Sequence, residues 1–257
     1  MSEINPYQAP QQQSVDAEAV IEPRMVPADH GWTWFKDGWT LFAKNPGIWI
    51  LNVILLFLLV IAINLVPILG HLASPLLMPV WLAGMAIGSQ ALSRGEPLEV
   101  AHVFAGFKSP QFGQLVLVGL ITLVLNIIVI AIVIFIAFLG GAGAALSGLA
   151  AGQAAGLAGA GMAIVAVLVA LLLLIPVAMA WWFAPALVVL RNQSAVSAMI
   201  LSFNGCLKNI IPFLIYGIVG LVLAIIASIP IFLGWLVLLP VTYASIYGAY
   251  RDIYPET

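Results

Sequence analysis

Six long apolar runs dominate the chain, at about residues 46–66, 72–93, 112–139, 162–190, 209–230 and 232–250. A helix that crosses a bilayer needs about 20 apolar residues. Backbone polar groups in lipid must be satisfied within the segment, which selects helices over open strands. The pattern therefore predicts an all-α fold, a polytopic membrane helix bundle of six transmembrane helices. Only "PILGH" and its neighbours divide the first two runs, and only "IPIFLG" divides the last two. With the middle pair, these make three helical hairpins. Prolines interrupt 72–93 and 232–250, so a re-entrant or core segment is the alternative for those two.

A shorter amphipathic run precedes each hairpin. Trp32, Phe35, Trp39 and Phe42 share one helical face. The run 97–108, opened by Pro97 at a first-turn position, aligns Val100, Val103, Phe104 and Phe107. The run 194–207 aligns Val196, Met199, Ile200, Phe203 and Leu207. A lysine closes each run: Lys44, Lys108 and Lys208. Aromatic rings favour the headgroup layer, and lysine snorkels to water. The runs predict interfacial helices anchored by Trp32, Phe35, Trp39, Phe42, Lys44, Phe104, Phe107, Lys108, Phe203 and Lys208. The alternative is that they serve as structural elbows against the bundle.

These units repeat. Lys44-Asn45 aligns with Lys208-Asn209, and "LLMPVWLAGMAIG" with "VLLPVTYASIYG", matching Pro79 to Pro240 and Gly88 to Gly248. "LLIPVAMAWW" supplies a third proline step at Pro176. Arg94 and Arg191 each follow their proline by 15 residues, and Arg251 follows Pro240 by 11. The unit is an amphipathic helix, a span, and a span carrying a proline. Proline frees a backbone carbonyl, so Pro79, Pro176 and Pro240 are expected helix kinks. Broken helices at matching positions can instead mark a transport site.

Composition bounds the rest. Of 257 residues, 63% are hydrophobic and 7% charged. Soluble domains carry about 25% charged residues. The mean hydropathy of +1.16 leaves too little polar surface for a water-soluble globule. Residues 1–30 are polar and proline-rich, and are expected to form a disordered acidic cytoplasmic tail. The transmembrane domain is expected at 31–251, followed by a short cytoplasmic C-terminus, 252–257. With six spans, all eight Lys and Arg fall on the side of the two termini. The positive-inside rule then places both termini in the cytoplasm. The net charge of −2 gives no nucleic-acid footprint, and the single Cys206 excludes an internal disulfide framework.

The segments "GWTLFAKNP", "ALSRGEPLEVAHVFAGF" and "SFNGCLKNIIPFLIYG" resemble a family of uncharacterised bacterial inner-membrane proteins. The likeness covers about residues 31–250. The family is distantly similar to YciC-like proteins and to the membrane domain of some glycerophosphodiester phosphodiesterases. The resemblance implies a multipass protein of the bacterial cytoplasmic membrane and transfers no catalytic residue.

Candidate chemistry is sparse. The predicted spans hold no Asp, Glu, Lys or Arg, the usual marks of proton relays and ion sites. Asn126 sits mid-span and requires a partner, either an interhelical hydrogen bond or a substrate. His30, His71 and His102 have no second ligand at metal spacing, so neither a metal nor a cofactor is expected. Glu96, Glu99 and His102 form a possible surface acid–base cluster, for which ordinary boundary charges are the plain reading. Gly148, Gly152 and Gly156 give a small-residue stripe in 140–161, which is either helix or loop. The expectation is a non-enzymatic accessory or membrane-organising protein whose partner is the lipid bilayer. Another membrane protein or a second copy is a further candidate partner, and nucleic acid is excluded. The alternative is a permease or channel for a neutral or lipid-like substrate.

Overall fold

The computed structural model describes residues 21–67, 69–151 and 153–255, with no strand among them. The helices are α1 His30–Lys44, α2 Pro46–Asn64 and α3 Leu69–Ser93. A 3-10 turn, Val100–Phe104, leads into α4, Ala105–Lys108. Then follow α5 Phe112–Ala151, α6 Gln153–Trp182, α7 Ala184–Arg191, α8 Ala195–Lys208, α9 Ile210–Ser228 and α10 Trp235–Ile253. The region 140–161 is thus helical within the described residues, although Gly152 and the side chains of the small-residue stripe lie outside them.

The Lys-Asn steps are helix breaks. Asn45 ends α1, and its side chain accepts from the Ile48 N–H as α2 begins with Pro46. Proline is well suited there, because its missing N–H would have no helical partner. Asn209 likewise separates α8 from α9, although its side chain does not cap α9.

Among the described residues, five stretches are long and apolar enough to cross a membrane: Pro46–Asn64, Gly70–Ser93, Phe112–Gly140, Ala160–Arg191 and Ile210–Ser228. The expected sixth span, α10, falls short on composition. Thr242, Ser245, Arg251, Asp252 and its tyrosines dilute its hydropathy. Its face from Pro240 to Ile253 is largely buried inside the bundle, where polar side chains find partners. The long helices pack in consecutive pairs, α2 on α3, α5 on α6 and α9 on α10.

The short elements pack in a cyclic order. The 3-10 turn and α4 lie on α3, α8 lies on α6, and α1 lies on α10. Each short element thus meets the proline-bearing helix of the unit before it, and α1 closes the ring. Gly38, His102 and Ser202 each precede their lysine by six residues. A Cβ on Gly38 would stand 2.8 Å from Ser245, five residues after Pro240. A Cβ on Gly84, five residues after Pro79, would strike the His102 carbonyl. Ser202 Oγ donates to the Met179 carbonyl at 2.6 Å and accepts from the Phe183 N–H at 2.9 Å, bracketing the same level beyond Pro176. Three sequence units therefore make one contact three times.

Candidate functional site

The two longer short helices bury different kinds of face: α1 buries two glycines with large apolar side chains, and α8 buries mostly small residues. In α1 the buried positions are Gly31, Trp34, Phe35, Gly38, Leu41 and Phe42. In α8 they are Ala195, Ala198, Met199, Ser202, Gly205 and Cys206. On the other side of α8, Val196, Ile200 and Leu207 are about half exposed, while Met199 is buried. Trp32 and Trp39 are likewise 45% and 55% exposed, and Lys36 lies 5.7 Å from the Trp32 ring centroid. Phe104 and Phe107 are each 37% exposed.

Phe35 and Phe42 depart from their expected anchoring role, since both belong to the core. Phe35 stacks on Tyr216 with ring centroids 4.4 Å apart. Phe203 is half-buried. Lys44 and Lys208 donate to the backbone rather than only reaching water. Lys44 Nζ meets the Leu92 carbonyl, and Lys208 Nζ meets that of Pro23, each at 3.1 Å. Lys108 is exposed.

The last part of the expected tail is built into the fold. Residues 1–20 lie outside the described residues, but 21–29 form a strap across the ends of α8 and α10. Asn209 fixes it from a fully buried position. Its Oδ1 accepts from the Val26 N–H, and its Nδ2 donates to the Arg24 carbonyl, both at 2.9 Å. The Arg24 N–H donates to the Ile253 carbonyl at 2.9 Å. Composition pointed to disorder, yet buried backbone groups take paired positions wherever partners exist.

Asp252 is the charged centre of this region. It pairs with Arg24 at 2.7 Å, lies 2.6 Å from His30 Nδ1, and accepts from Trp34 Nε1 at 2.9 Å. Burial favours the neutral carboxyl, but the bonds from His30, Trp34 and Arg24 outweigh it and hold Asp252 below the ordinary carboxylate range. Burial pushes the neighbouring Asp37 up, against the pull of Arg251.

Two polar cavities of about 380 Å³ each open at this end. One lies among Arg24, His30, Asp37, Lys44, Arg251 and Asp252. The other is bounded by Arg94, Arg191 and Arg251 with three tyrosines. The sequence pattern alone does not reveal either cavity, and the arginine that follows each of Pro79, Pro176 and Pro240 is the one signal of them. A third cavity, about 660 Å³, is almost wholly apolar and lies among α6, α8, α9 and α10 with Phe35 at its edge.

The remaining candidates have local roles. Asn126 Nδ2 donates to the Thr122 carbonyl of its own helix at 2.9 Å, rather than across helices. His102 Nδ1 accepts from the Glu99 N–H at 2.9 Å, so this pair caps the 3-10 turn. Burial pushes the Cys206 thiol up to about 12, which keeps it protonated and unreactive at neutral pH. Pro79 and Pro240 are buried at the crossings, whereas Pro176 is exposed on the outside of α6. No metal-holding group of three His, Cys, Asp or Glu occurs among the described residues.

A probable inner membrane protein of Burkholderia thailandensis is 31% identical over 255 residues, covering 89% of this chain and 92% of the relative. The chain belongs to this inner membrane protein family. No family model matches, so none carries the likeness to YciC-like proteins or to the phosphodiesterase membrane domain. No solved structure matches. The inner-membrane relative and the five apolar stretches agree on a multipass membrane protein.

Proposed function

We propose that this is a six-span, non-enzymatic organising component of the bacterial inner membrane, acting through its short helices on the cytoplasmic leaflet. The outward turn of Trp32 and Trp39 on α1, and of Val196, Ile200 and Leu207 on α8, carries the reading. Gly31 and Gly38 with Trp34, Phe35, Leu41 and Phe42 pack α1 on the bundle and mostly small residues pack α8, which leaves Trp32, Trp39, Val196, Ile200 and Leu207 for lipid or a partner. Exposed apolar stripes flanked by lysine fit the bilayer boundary.

The six-span topology draws on the clustering of basic residues. Lys44 touches Leu92, Arg94 shares a cavity with Arg191, and Lys208 touches the strap bound to Asp252. Chain that leaves this end through α2, α5 and α9 therefore returns through α3, α6 and α10, as three hairpins. At 19 residues α10 is about 28 Å long, close to the hydrocarbon thickness of about 30 Å. The positive-inside rule then sets this end, with both termini, in the cytoplasm.

The test is gentle extraction followed by native mass spectrometry of what travels with the protein. Trp39→Ala and Ile200→Ala should strip bound lipid or protein, while Asn126→Ala should not. Equal or reversed effects contradict the reading.

The apolar cavity favours a second reading, a permease for a lipid-like substrate, because its size and lining suit an acyl chain. It predicts lipid flux in proteoliposomes that Trp182→Ala alters. Flux matching empty vesicles removes it.

A further inference from the structure

We propose that the apolar cavity among α6, α8, α9 and α10 holds one acyl chain of a phospholipid, drawn from the leaflet at the end of the bundle that carries Arg94, Arg191 and Arg251. The repeat shows why space is left there. In the ring of three units, α3 packs on α5 and α10 packs on α2. The equivalent pair, α6 and α9, makes no comparable packing among the described residues. The cavity occupies that gap, lined from α6 by Met179 and Trp182 and from α9 by Phe213 and Gly217.

Glycine marks the difference. On α5, a Cβ on Gly119 would stand 2.7 Å from the Leu76 Cα, so that glycine serves the close approach of α3. On α9, a Cβ on Gly217 would meet nothing within 4 Å. Glycine inside a helix is less stable than alanine, so a glycine that packs on nothing calls for another role, and what Gly217 leaves is room. A Cβ on Gly220 would stand 3.4 Å from the Phe35 ring. The small-residue face of α9 is thus partly covered by Phe35 and is not free to receive a second helix.

The cavity is continuous with the lipid-facing surface. Ile175, Ile210 and Leu214 line it and are each more than half exposed, on two stretches apolar enough to cross the membrane. The polar groups of its wall are engaged within the protein. Tyr216 Oη lies 2.7 Å from Ser245 Oγ, and Thr242 Oγ1 donates to the Leu238 carbonyl at 2.8 Å. Trp182 Nε1 has no partner but is buried out of a ligand's reach. A polar ligand gains nothing on such a wall, and a hydrocarbon chain does. Length agrees. Along α9 the lining runs from Ile210 to Ala224, about 21 Å. One leaflet of hydrocarbon is about 15 Å deep, half of the core thickness. Ile210 follows the Lys208-Asn209 step, so the ester end of the chain lies beside Lys208 and its methyl end points towards Trp235. This names the occupant on which the lipid-permease reading rests, yet it needs a lipid held rather than moved. Absent flux with a lipid retained removes that reading alone.

The full chain in non-ionic detergent would be titrated with 1-palmitoyl-2-oleoylphosphatidylglycerol and read by native mass spectrometry. One lipid per chain is expected to survive activation that strips the rest. Gly217→Leu puts a side chain into the space and should weaken that binding at least about tenfold, the effect of displacing about two buried methylenes. Gly161→Leu, outside the cavity and likewise with nothing within 4 Å, should leave it unchanged. Trp39→Ala and Ile200→Ala, also outside the cavity, should strip other lipids and keep this one, so the two readings fail separately. Dihexanoylphosphatidylglycerol carries the same headgroup on short chains and should bind at least about tenfold more weakly. Tryptophan fluorescence checks folding. If Gly217→Leu fails to fold, the wild type with a phosphatidylglycerol bearing a diazirine at its chain end gives the reading, with crosslinks expected at Ala224, Trp235 or Leu238. The proposal is overturned if no lipid is retained, if folded Gly217→Leu binds as the wild type does, if the short-chain lipid binds equally, or if the crosslinks miss the cavity. A protein retained in place of the lipid, and lost from Gly217→Leu, also overturns it.

Discussion

A Cβ on Gly38 would stand 2.5 Å from the carbonyl oxygen of Val241, inside any real contact distance. The obstacle is backbone, which cannot rotate away as a flexible side chain can. Gly38→Ala therefore has to push α1 off α10, with an expected loss of about 1–3 kcal/mol. Gly47, in the first turn of α2, has nothing within 4 Å of the same position. Gly47→Ala should gain about 0.5–1 kcal/mol from reduced chain entropy. Thermal unfolding of the two variants in detergent checks the contrast, and similar melting shifts would break the proposed crossing.

Asn209 holds the strap through the Val26 N–H and the Arg24 carbonyl, while its Nδ2 also reaches the Gly205 carbonyl. Asn209→Ala leaves those buried groups without partners, at about 1–3 kcal/mol each when no water replaces them. Amide exchange across residues 21–29 should rise sharply, while α5 and α6 stay as protected as before. Unchanged exchange in the strap would show that other contacts secure it.

The strap should also respond to acid. The Asp252 carboxyl is held below its ordinary value, so its contribution to stability is full above the unfolded pKa of about 3.9. That contribution is lost as pH falls through the lower folded value. Exchange in residues 21–29 should accelerate below about pH 4. Asp252→Asn should already exchange fast at neutral pH and flatten the dependence. A variant that keeps the wild-type pH profile would place the acid response elsewhere.

Much of the architecture is legible in the chain itself. Continuous apolar runs locate the long helices, and the Lys-Asn steps locate the breaks before α2 and α9. The faces of the short helices are less legible. Reading α1 by its aromatic stripe places Phe35 with Trp32 and Trp39, whereas the bundle buries Phe35 beside Gly31, Trp34 and Gly38. The inward face is defined by glycines that permit close approach, which an apolar pattern overlooks. The α8 stripe of Val196, Ile200 and Leu207 is real but faces outward. The strap was hidden for a different reason. Its order comes from Asn209, Lys208 and Asp252, which lie over 180 residues away and leave no local trace.

Trp32 and Trp39 provide a test of the outward surface that leaves packing alone. Both are about half exposed, so Trp32→Ala and Trp39→Ala should each cost well under the several kcal/mol typical of a core tryptophan. Trp34 and Trp49 are fully buried, and their alanine variants should lose about 3–5 kcal/mol. Thermal melts of all four variants in detergent separate the classes. A large loss at Trp39 would assign it to the core of the fold rather than to lipid or a partner.

The central claim is that α2–α3, α5–α6 and α9–α10 each leave and return to one cytoplasmic end. Cysteine labelling on intact cells tests it most directly, in a Cys206→Ala background. Met25→Cys and Glu96→Cys report on the arginine end, and Val66→Cys and Ile229→Cys report on the opposite end. All four positions are exposed. An impermeant maleimide should label the cysteines at 66 and 229 on intact cells. Those at 25 and 96 should label only after permeabilisation. Labelling of 25 and 96 from opposite sides, or of 96 and 229 from the same side, would contradict it.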